Sequence, residues 1–493
     1  MSSQVEQALD AAEVAQQEWS NVVLRQRVKV VGGLRAHLCE HFEEFLSVIE
    51  RPNASRADIM SSEMIPLADA CRMVAKKGRQ ILAPQTHSWR DAAFWMGRIR
   101  VRTLHEPWGV VLILAPSNYP LYLPGVQMIQ ALAAGNAVIV KPALHGTAVI
   151  ERLKQALIGC GLPEDLVQVL PEGIEYGEEA IDAGVDKVVL TGSVHTGRAV
   201  LRRTAETITP TTMELSGCDA VFISSRGDLE RAVSCVAYAL LMNGGATCIA
   251  PRRIFVAPSH LEDFKSLLVN ELNTRLEGTT KRTFSIPVPV ASAVRRAAEQ
   301  ALSQGASIAF GEIPEDTRGP DGSRAEMGPL VLQDVLPRME AARTDLFAPI
   351  TSIIAADDMR AAINADRVCP YSLGASIFAP QSFADHWAEE IEAGCIVIND
   401  IIVPTADPRV SFGGCDQSGW GVTRGPLGLL EMTRPKVICS RRGKWLPHLD
   451  EQAANLEMLS SLMSFFHQSS LRNRFAALKK VLASARKSAE SKS

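Results

Sequence analysis

The sequence predicts an α/β protein built on a parallel β-sheet that helices cover on both faces. Four short segments are mostly apolar, the first two of them along their whole length, and helical patterns separate them. The apolar runs are residues 110–115, 137–140, 167–170 and 187–190, and the helical stretches between and after them are residues 123–134, 147–160 and 196–205. Fully apolar strands that alternate with helices are typical of a parallel sheet buried on both faces.

Composition sets the broad class. The chain has 493 residues, of which 46% are hydrophobic and 22% charged, with a net charge of −4. That length favours roughly two to four domains, and the charge gives no reason to expect nucleic acid as a partner. No apolar run reaches the length of a transmembrane helix. The N-terminus lacks the basic start and apolar core of a secretory signal, so we expect a cytoplasmic protein.

The cysteines and histidines are dispersed. Ten of each occur, without a CxxC pair or a zinc-like Cys/His spacing. This pattern favours reduced cytosolic thiols over a disulfide framework, and it predicts no metal site.

The N-terminal 85 residues are predicted to be helical, since residues 22–49 and 58–81 carry apolar positions at helical spacing. Residues 98–104 then alternate polar with apolar, as a half-exposed strand does. Such a strand could be a solvated edge or could pair with another subunit, and the sequence leaves both open.

Polar residues follow the ends of the apolar strands. They are Asn118, Lys141, the Gly192-Ser193 turn and Glu214. Parallel sheets bind ligands beyond the carboxyl ends of their strands, so these residues are candidates for holding a cofactor or substrate. Taken singly, Lys141 could be solvated, Asn118 a turn residue, and Glu214 a surface carboxylate.

The turn at Gly192-Ser193 precedes a helix, and Gly197 lies within its first turn. Backbone N–H groups at a helix N-terminus suit an anion such as a pyrophosphate. The segment is not a GxGxxG fingerprint, and a glycine turn with a serine helix cap explains it equally simply.

One cysteine stands out by its surroundings. Cys248 follows the adjacent glycines Gly244 and Gly245, on a loop between a helical pattern at residues 229–241 and a strand-like run at 253–256. Adjacent glycines allow a tight turn and a close approach to a ligand. The alternative is a small buried hydrophobic residue, which is the usual role of a single cysteine.

Asn118, Lys141, Gly192-Ser193, Glu214 and Cys248 occur in the order and approximate spacing of the aldehyde dehydrogenase superfamily, which the chain resembles over about residues 20–445. Residues 106–253 look most like the branch with a shorter N-terminus. A further block, residues 411–421, resembles the PFGG...SG segment of that family.

The resemblance implies two Rossmann-like three-layer α/β domains with a small β oligomerisation arm, and a homodimer. The implied ranges are an NAD(P)-binding domain at 1–85 and 107–214, a catalytic domain at 215–432, an arm at 86–106 and 433–447 (its two halves near Arg98 and at residues 435–446), and a helical tail at 448–493.

The resemblance also implies a reaction. Cys248 as thiolate attacks an aldehyde to form a thiohemiacetal, which passes a hydride to NAD or NADP and becomes a thioester. The Asn118 amide and the backbone N–H of Cys248 stabilise the oxyanion. Glu214 activates the water that releases the carboxylic acid, and it could also help to deprotonate Cys248.

By the same resemblance Lys141 binds the adenosine ribose, and the Gly192, Ser193 and Gly197 turn binds the pyrophosphate. Asp345 stands where the family commonly has a glutamate that holds the nicotinamide ribose, and Phe347 packs near the nicotinamide ring. Leu144 stands where many NAD-preferring members have a glutamate on the ribose hydroxyls. Leucine neither accepts those hydrogen bonds nor repels a 2′-phosphate, so we expect relaxed or NADP-tolerant cofactor use.

Two other functions stay open at this stage: an acylating enzyme that uses coenzyme A or phosphate, and a silent scaffold with the same fold. Glu214 argues against the first, because thiol transfer needs no water-activating base.

Beyond the resemblance, Leu471, Phe475, Leu478 and Leu482 share one helix face among basic residues. Such a helix could lie on a membrane, dock on a partner or pack on its own protein.

Overall fold

A computed structural model describes residues 3–490 except 89, 91, 93–98, 278–282, 316–321 and 442–455. In chain order its α-helices are α1 (Gln4–Asn21), α2 (Leu24–Glu40), α3 (Phe42–Val48), α4 (Arg56–Ile59), α5 (Ile65–Ile81), α6 (Tyr122–Ala134), α7 (Thr147–Gly159), α8 (Ile174–Asp182), α9 (Val194–Thr207), α10 (Leu229–Leu241), α11 (Leu261–Glu277), α12 (Val288–Ser303), α13 (Met359–Asp366), α14 (Gln381–Ala388), α15 (Gly425–Glu431), α16 (Leu456–His467) and α17 (Leu471–Glu490). Among the described helices, none combines the length and the apolar character that crossing a bilayer requires.

The strands form two larger sheets and three small ones. In chain order they are β1 (Gln85–Thr86), β2 (Ile99–Pro107), β3 (Val110–Leu114), β4 (Ala137–Lys141), β5 (Val167–Val169), β6 (Lys187–Thr191), β7 (Thr211–Glu214), β8 (Asp219–Ile223), β9 (Pro251–Val256), β10 (Phe284–Pro287), β11 (Ser307–Phe310), β12 (Arg324–Met327), β13 (Leu330–Gln333), β14 (Ile350–Ala355), β15 (Tyr371–Ser372), β16 (Gly374–Phe378), β17 (Cys395–Ile398), β18 (Cys415–Asp416), β19 (Gly419–Trp420) and β20 (Thr433–Arg441). The α/β class predicted from the sequence is confirmed.

The first large sheet has the order β19-β7-β6-β3-β4-β5. Its strands β3 to β7 are parallel, with Val111 opposite both Val138 and Lys187, and only the two-residue β19 is antiparallel. All of β3 is buried, as are all residues of α6, the helix that connects β3 to β4. Gly135 ends α6 with φ +105°, a conformation that favours glycine.

The second large sheet has the order β11-β13-β14-β9-β8-β16-β17, and all of it is parallel except β11. Strand β8 lies inside this sheet, only four residues after β7 ends in the first one. The chain therefore passes from one sheet to the other between Glu214 and Asp219. It later returns, since β19 pairs with β7, and Leu429 of α15 joins the core of the first sheet.

Residues 83–105 and 435–493 form a separate compact unit. It contains a small sheet of order β1-β2-β20, in which β1 is antiparallel to β2, and the helical hairpin of α16 and α17. Arg98 and residues 442–455, which the sequence analysis assigns to the arm and the start of the tail, lie outside the described residues. Pairing of this arm with a second subunit stays a prediction.

Candidate active site

The loop that carries Cys248 has an unusual backbone. Helix α10 ends at Leu241, and Asn243, Gly244 and Gly245 then take φ values of +52°, +61° and +72°. A Cβ on Gly245 would lie 2.2 Å from the carbonyl oxygen of Ala348, so only glycine fits this close approach of two loops. The loop leaves Cys248 half-buried just before β9, as the sequence analysis predicts.

A buried arginine joins the nucleophile loop to the loop that holds Phe347. The Arg252 guanidinium donates to the carbonyl oxygens of Gly245 at 2.7 Å and Ala348 at 2.9 Å, and to Asp345 Oδ1 at 3.2 Å. Both partners of the Arg252–Asp345 ion pair are almost fully buried. Burial raises the pKa of Asp345, and Arg252 opposes that shift. Sequence reasoning gave Arg252 no role.

Asn118 lies in the loop after β3 and contacts the nucleophile loop. Its side-chain nitrogen donates to the carbonyl oxygen of Ala246 at 3.2 Å, two residues before Cys248. In return, the Asn243 amide donates to the carbonyl oxygens of Asn118 at 3.2 Å and of Ala246 at 3.1 Å. The structure therefore brings Asn118 and the Cys248 loop together from positions well over a hundred residues apart.

Glu214 is the last residue of β7 and is buried, with 2% of its surface exposed. Its Oε2 accepts a short hydrogen bond from the Thr423 hydroxyl, whereas Oε1 is buried and has no hydrogen-bond partner among the described residues. Burial raises the pKa of Glu214, while the positive charge of Arg424 and the Thr423 hydroxyl act in the opposite direction. A carboxylate with a raised pKa is suited to accept a proton near neutral pH.

Arg424 is a second buried arginine that the sequence analysis missed. Its guanidinium lies 4.1 Å from the centre of the Phe412 ring and donates to the Tyr122 hydroxyl at 3.3 Å, while its Nε is buried without a hydrogen-bond partner. It interacts electrostatically with both Glu214 and Cys248. Arg424 is the only charged residue in residues 417–430, and that isolation within an apolar block was the available sequence signal.

The surroundings of Cys248 favour the protonated form of its thiol. Burial raises its pKa, and the negative charge of Glu214 adds to the shift. A thiol in this state is a poor nucleophile until a base removes its proton.

A cavity of about 700 Å³ extends along the carboxyl ends of the strands of the first sheet, and this volume is within the usual range for small-molecule sites. Most of the predicted site residues line it together: Asn118, Lys141, Gly192, Ser193, Glu214, Cys248, Asp345 and Phe347. Gly197 is not among them. A Cβ there would lie 2.8 Å from Leu215 Cδ1, so this glycine allows α9 to pack closely on Leu215 rather than facing the cavity.

The polar ends of the cavity suit a dinucleotide. Ser193 caps α9 by accepting from the Thr196 N–H at 3.1 Å, so the serine cap considered in the sequence analysis is present at the cavity wall. Lys141 donates to the backbone oxygen of Glu172 at 3.4 Å, and partial burial lowers the Lys141 pKa. Leu144 is exposed.

A half-buried cysteine and a buried carboxylate thus line one cavity at the edge of a doubly covered parallel sheet, an arrangement that fits the class of cysteine-dependent NAD(P) oxidoreductases. Comparison with known proteins agrees. A sequence model described as the aldehyde dehydrogenase family matches residues 1–438, and the chain therefore belongs to the aldehyde dehydrogenase family. It is an NAD(P)-dependent aldehyde dehydrogenase, which oxidises an aldehyde to a carboxylic acid through the cysteine thiohemiacetal and thioester of that family.

Individual relatives are distant. The chain is 28% identical over 482 residues to a 4,4′-diapolycopene aldehyde oxidase of Methylomonas sp, covering 94% of this chain and 87% of that protein. It is 30% identical to the mouse aldehyde dehydrogenase family 3 member A2, with 73% of each chain covered. A mutant aldehyde dehydrogenase from Bacillus cereus has a similar structure, with a TM-score of 0.79, 25% identity and 88% of each chain covered.

Proposed function

We propose that Cys248 is the nucleophile of this aldehyde dehydrogenase and that Asn118 stabilises the oxyanion formed when the thiolate adds to the aldehyde carbonyl. The observation that carries this proposal is the convergence of Cys248, Asn118 and Glu214 on one cavity from three separate segments. The Asn118 amide has a second N–H besides the one on Ala246, and the backbone N–H of Cys248 is the other donor. Such donors are each worth about 3 kcal/mol at a developing oxyanion. Replacing Cys248 by alanine, which should abolish turnover, tests the assignment of the nucleophile.

Glu214 is the proposed general base. Its unpartnered Oε1 is free to accept a proton from water, while Thr423 holds Oε2 in place. Activated water then attacks the thioester carbonyl, the bond to Cys248 Sγ breaks, and the carboxylic acid leaves with the thiol restored. The same carboxylate is positioned to take the Cys248 proton first. This role favours hydrolysis over the acylating alternative, in which no water needs to be activated.

Bound NAD(P) supplies the hydride acceptor. Lys141 is the proposed ribose ligand, and Gly192 and Ser193 lie where the pyrophosphate would meet the first turn of α9. Phe347, whose backbone N–H donates to Asp345 at 3.2 Å, supports the nicotinamide end. Asp345 already accepts hydrogen bonds from Arg252 and from the backbone N–H of Phe347. We therefore infer that Asp345 contributes to cofactor binding by fixing the Phe347 loop, and that it does not hold the ribose alone.

Cofactor selection is expected to be relaxed, with kcat/KM values for NAD and NADP of the same order, because Leu144 offers no carboxylate to the ribose. The structure adds Glu172, whose carboxylate accepts from the backbone N–H groups of His145 at 2.9 Å and Thr147 at 3.1 Å beside that position. Removing its charge in Glu172→Gln should strengthen NADP binding about fivefold or more without a matching change for NAD. Equilibrium binding of each cofactor by fluorescence quenching, together with kcat/KM, measures this.

Leu144→Glu is the matched variant, since it adds a carboxylate at the same loop and should weaken NADP binding instead. A strong preference of the unmodified protein for NAD would contradict relaxed cofactor selection. An unchanged NADP affinity in Glu172→Gln would show that Glu172 has no part in the choice between NAD and NADP.

Arg424 is expected to keep Glu214 ionised. Burial raises the pKa of Glu214 and Arg424 lowers it, so losing the cation raises that pKa further. In Arg424→Gln the acid limb of the pH profile of kcat should therefore move to higher pH, by roughly one to three units. Arg424→Lys retains the charge and should move it much less. Loss of activity that is equal at every pH in both variants would assign Arg424 a structural role only.

The substrate class is proposed from residues in the loops around Cys248, which the sequence places near the nucleophile. Tyr119, whose hydroxyl pairs with Thr247 at 2.7 Å, Tyr122, Met242, Ile249 and Phe412 are apolar or aromatic. The similarity to a diapolycopene aldehyde oxidase and to a probable coniferyl aldehyde dehydrogenase of Pseudomonas aeruginosa points the same way. We therefore propose an apolar or aromatic aldehyde, and a higher kcat/KM for succinate semialdehyde than for aromatic aldehydes would contradict it.

Assembly and location complete the proposal. The domain ranges given by the resemblance and a homodimer joined through the β1-β2-β20 arm are part of the proposal. So is a cytoplasmic location, which is supported by ten cysteines that form no disulfide. Light scattering that gives a monomer mass would contradict the dimer.

A further inference from the structure

The hairpin of α16 and α17 exposes an apolar stripe that is not buried between its two helices. On α17, Leu471, Phe475 and Leu482 are 68%, 66% and 56% exposed. Residues four and seven positions apart share one helix face, so these three side chains form a single stripe. Among the described side chains of α16, the exposed large apolar residues are Leu456, Leu459 and Met463, three and four positions apart, which also places them on one helix face.

The internal packing of the hairpin lies elsewhere. Ala477 of α17 and Ser461 of α16 are buried, and Ala477 lies on the side of α17 away from Phe475. The Arg474 guanidinium donates to the backbone oxygen of Phe465 at 2.8 Å, which ties the two helices together. The stripe is therefore free of the contacts that form the hairpin. Phe475 is also the most exposed aromatic side chain in the described part of the chain.

Charge around the stripe has one sign. Residues 459–483 contain four lysines or arginines and no acidic residue, in a chain whose net charge is −4. Arg472 and Lys479 lie three residues before and four residues after Phe475, so they border the stripe on one side. Arg474 borders it on the other. An apolar stripe edged by long basic side chains matches the boundary between acyl chains and lipid phosphates.

We propose that α17 is a peripheral membrane-binding element that lies flat on an anionic lipid surface, with Leu471, Phe475 and Leu482 among the acyl chains. The bordering cations contact lipid phosphates. A second copy of the hairpin is a poorer occupant, because pairing the stripes would bring Arg472 and Lys479 of two chains together without any acidic residue between them. This inference does not depend on the reaction at Cys248.

The test is co-sedimentation of the full chain with phosphatidylcholine vesicles, with and without phosphatidylglycerol. We expect binding to the mixed vesicles that weakens as salt is raised. The double variant Phe475→Ser with Leu482→Ser should lower the partition coefficient at least about tenfold. Lys479→Gln should lower it roughly fivefold on the mixed vesicles and little on phosphatidylcholine alone.

Leu336→Ser is the matched control, since Leu336 is also exposed, at 45%, but lies far along the chain from the hairpin. It should leave sedimentation unchanged. Circular dichroism of each variant checks that it is folded, without using enzyme activity.

Three results would overturn the proposal. The first is no sedimentation with either vesicle. The second is sedimentation that the Phe475 and Leu482 replacements do not reduce. The third is self-association in the absence of lipid that those replacements abolish, which would assign the stripe to a second copy.

Discussion

Replacing Cys248 by alanine is expected to abolish aldehyde-dependent reduction of NAD and NADP. The thiol is the only proposed group that forms a covalent bond to the substrate, and alanine has no nucleophile with which to make the thiohemiacetal. Asn118 and Glu214 cannot replace it, because one only donates hydrogen bonds and the other accepts a proton. Absorbance of the reduced cofactor, followed after addition of an aromatic aldehyde, measures the loss.

Cys235→Ala is the control for this experiment. Cys235 is a half-buried thiol on α10, the helix that leads into the nucleophile loop, and it has no proposed role. Its alanine variant should retain activity, and both variants should bind cofactor as the unmodified protein does. Turnover by Cys248→Ala would mean that another group performs the chemistry.

Glu214→Gln is expected to separate acylation from hydrolysis. Glutamine retains the size of the side chain and an acceptor for Thr423, but it cannot take a proton from water. Steady-state turnover should fall by about 10²- to 10⁴-fold, the usual contribution of a general base. One equivalent of reduced cofactor should still form in a burst, and raising the pH should make that burst faster because it increases the ionised fraction of the Cys248 thiol.

Thr423→Val tests the same carboxylate from its other side. This replacement removes the hydrogen bond to Oε2 but retains the Glu214 carboxylate as the base. Steady-state turnover should therefore fall less than in Glu214→Gln, and no burst is expected. Normal steady-state turnover in Glu214→Gln would contradict the assignment of the base. Absence of both turnover and burst at alkaline pH would instead place Glu214 in the first half of the reaction.

Much of the scaffold was predictable because its strands are buried on both faces. Strand β3 was expected at residues 110–115 and lies at Val110–Leu114, and α10 was expected at 229–241 and lies there. The bounds of a strand buried on both faces are predictable because they coincide with the ends of its apolar run. By contrast, β8 was missed, because it begins with the charged Asp219 and only four residues separate it from the end of β7 at Glu214.

Site residues that belong to a sequence motif were predictable. Site residues whose role depends on a partner far away in the sequence were not. Cys248 and Glu214 stand in recognisable segments. Arg252 contacts Asp345, 93 residues away, and Arg424 acts on Glu214 across an even longer stretch of chain. An arginine in a strand or after a glycine block looks like a surface residue until the fold shows what buries it.

Gly197 is a case in which two explanations apply. Its place after Gly192 and Ser193 predicts contact with a pyrophosphate, which stays a prediction, and the structure shows in addition that a side chain there would collide with Leu215. Sequence spacing alone does not separate a glycine that a ligand requires from one that a neighbouring helix or strand requires.

The most direct test of this account is mass spectrometry of Glu214→Gln after mixing with an aromatic aldehyde and NAD or NADP at alkaline pH. We predict one acyl group, the aldehyde less one hydrogen atom in place of the thiol proton, on the peptide that contains Cys248, in a yield equal to the burst of reduced cofactor. An acyl group on another cysteine, or a burst with Cys248 unmodified, would contradict the account.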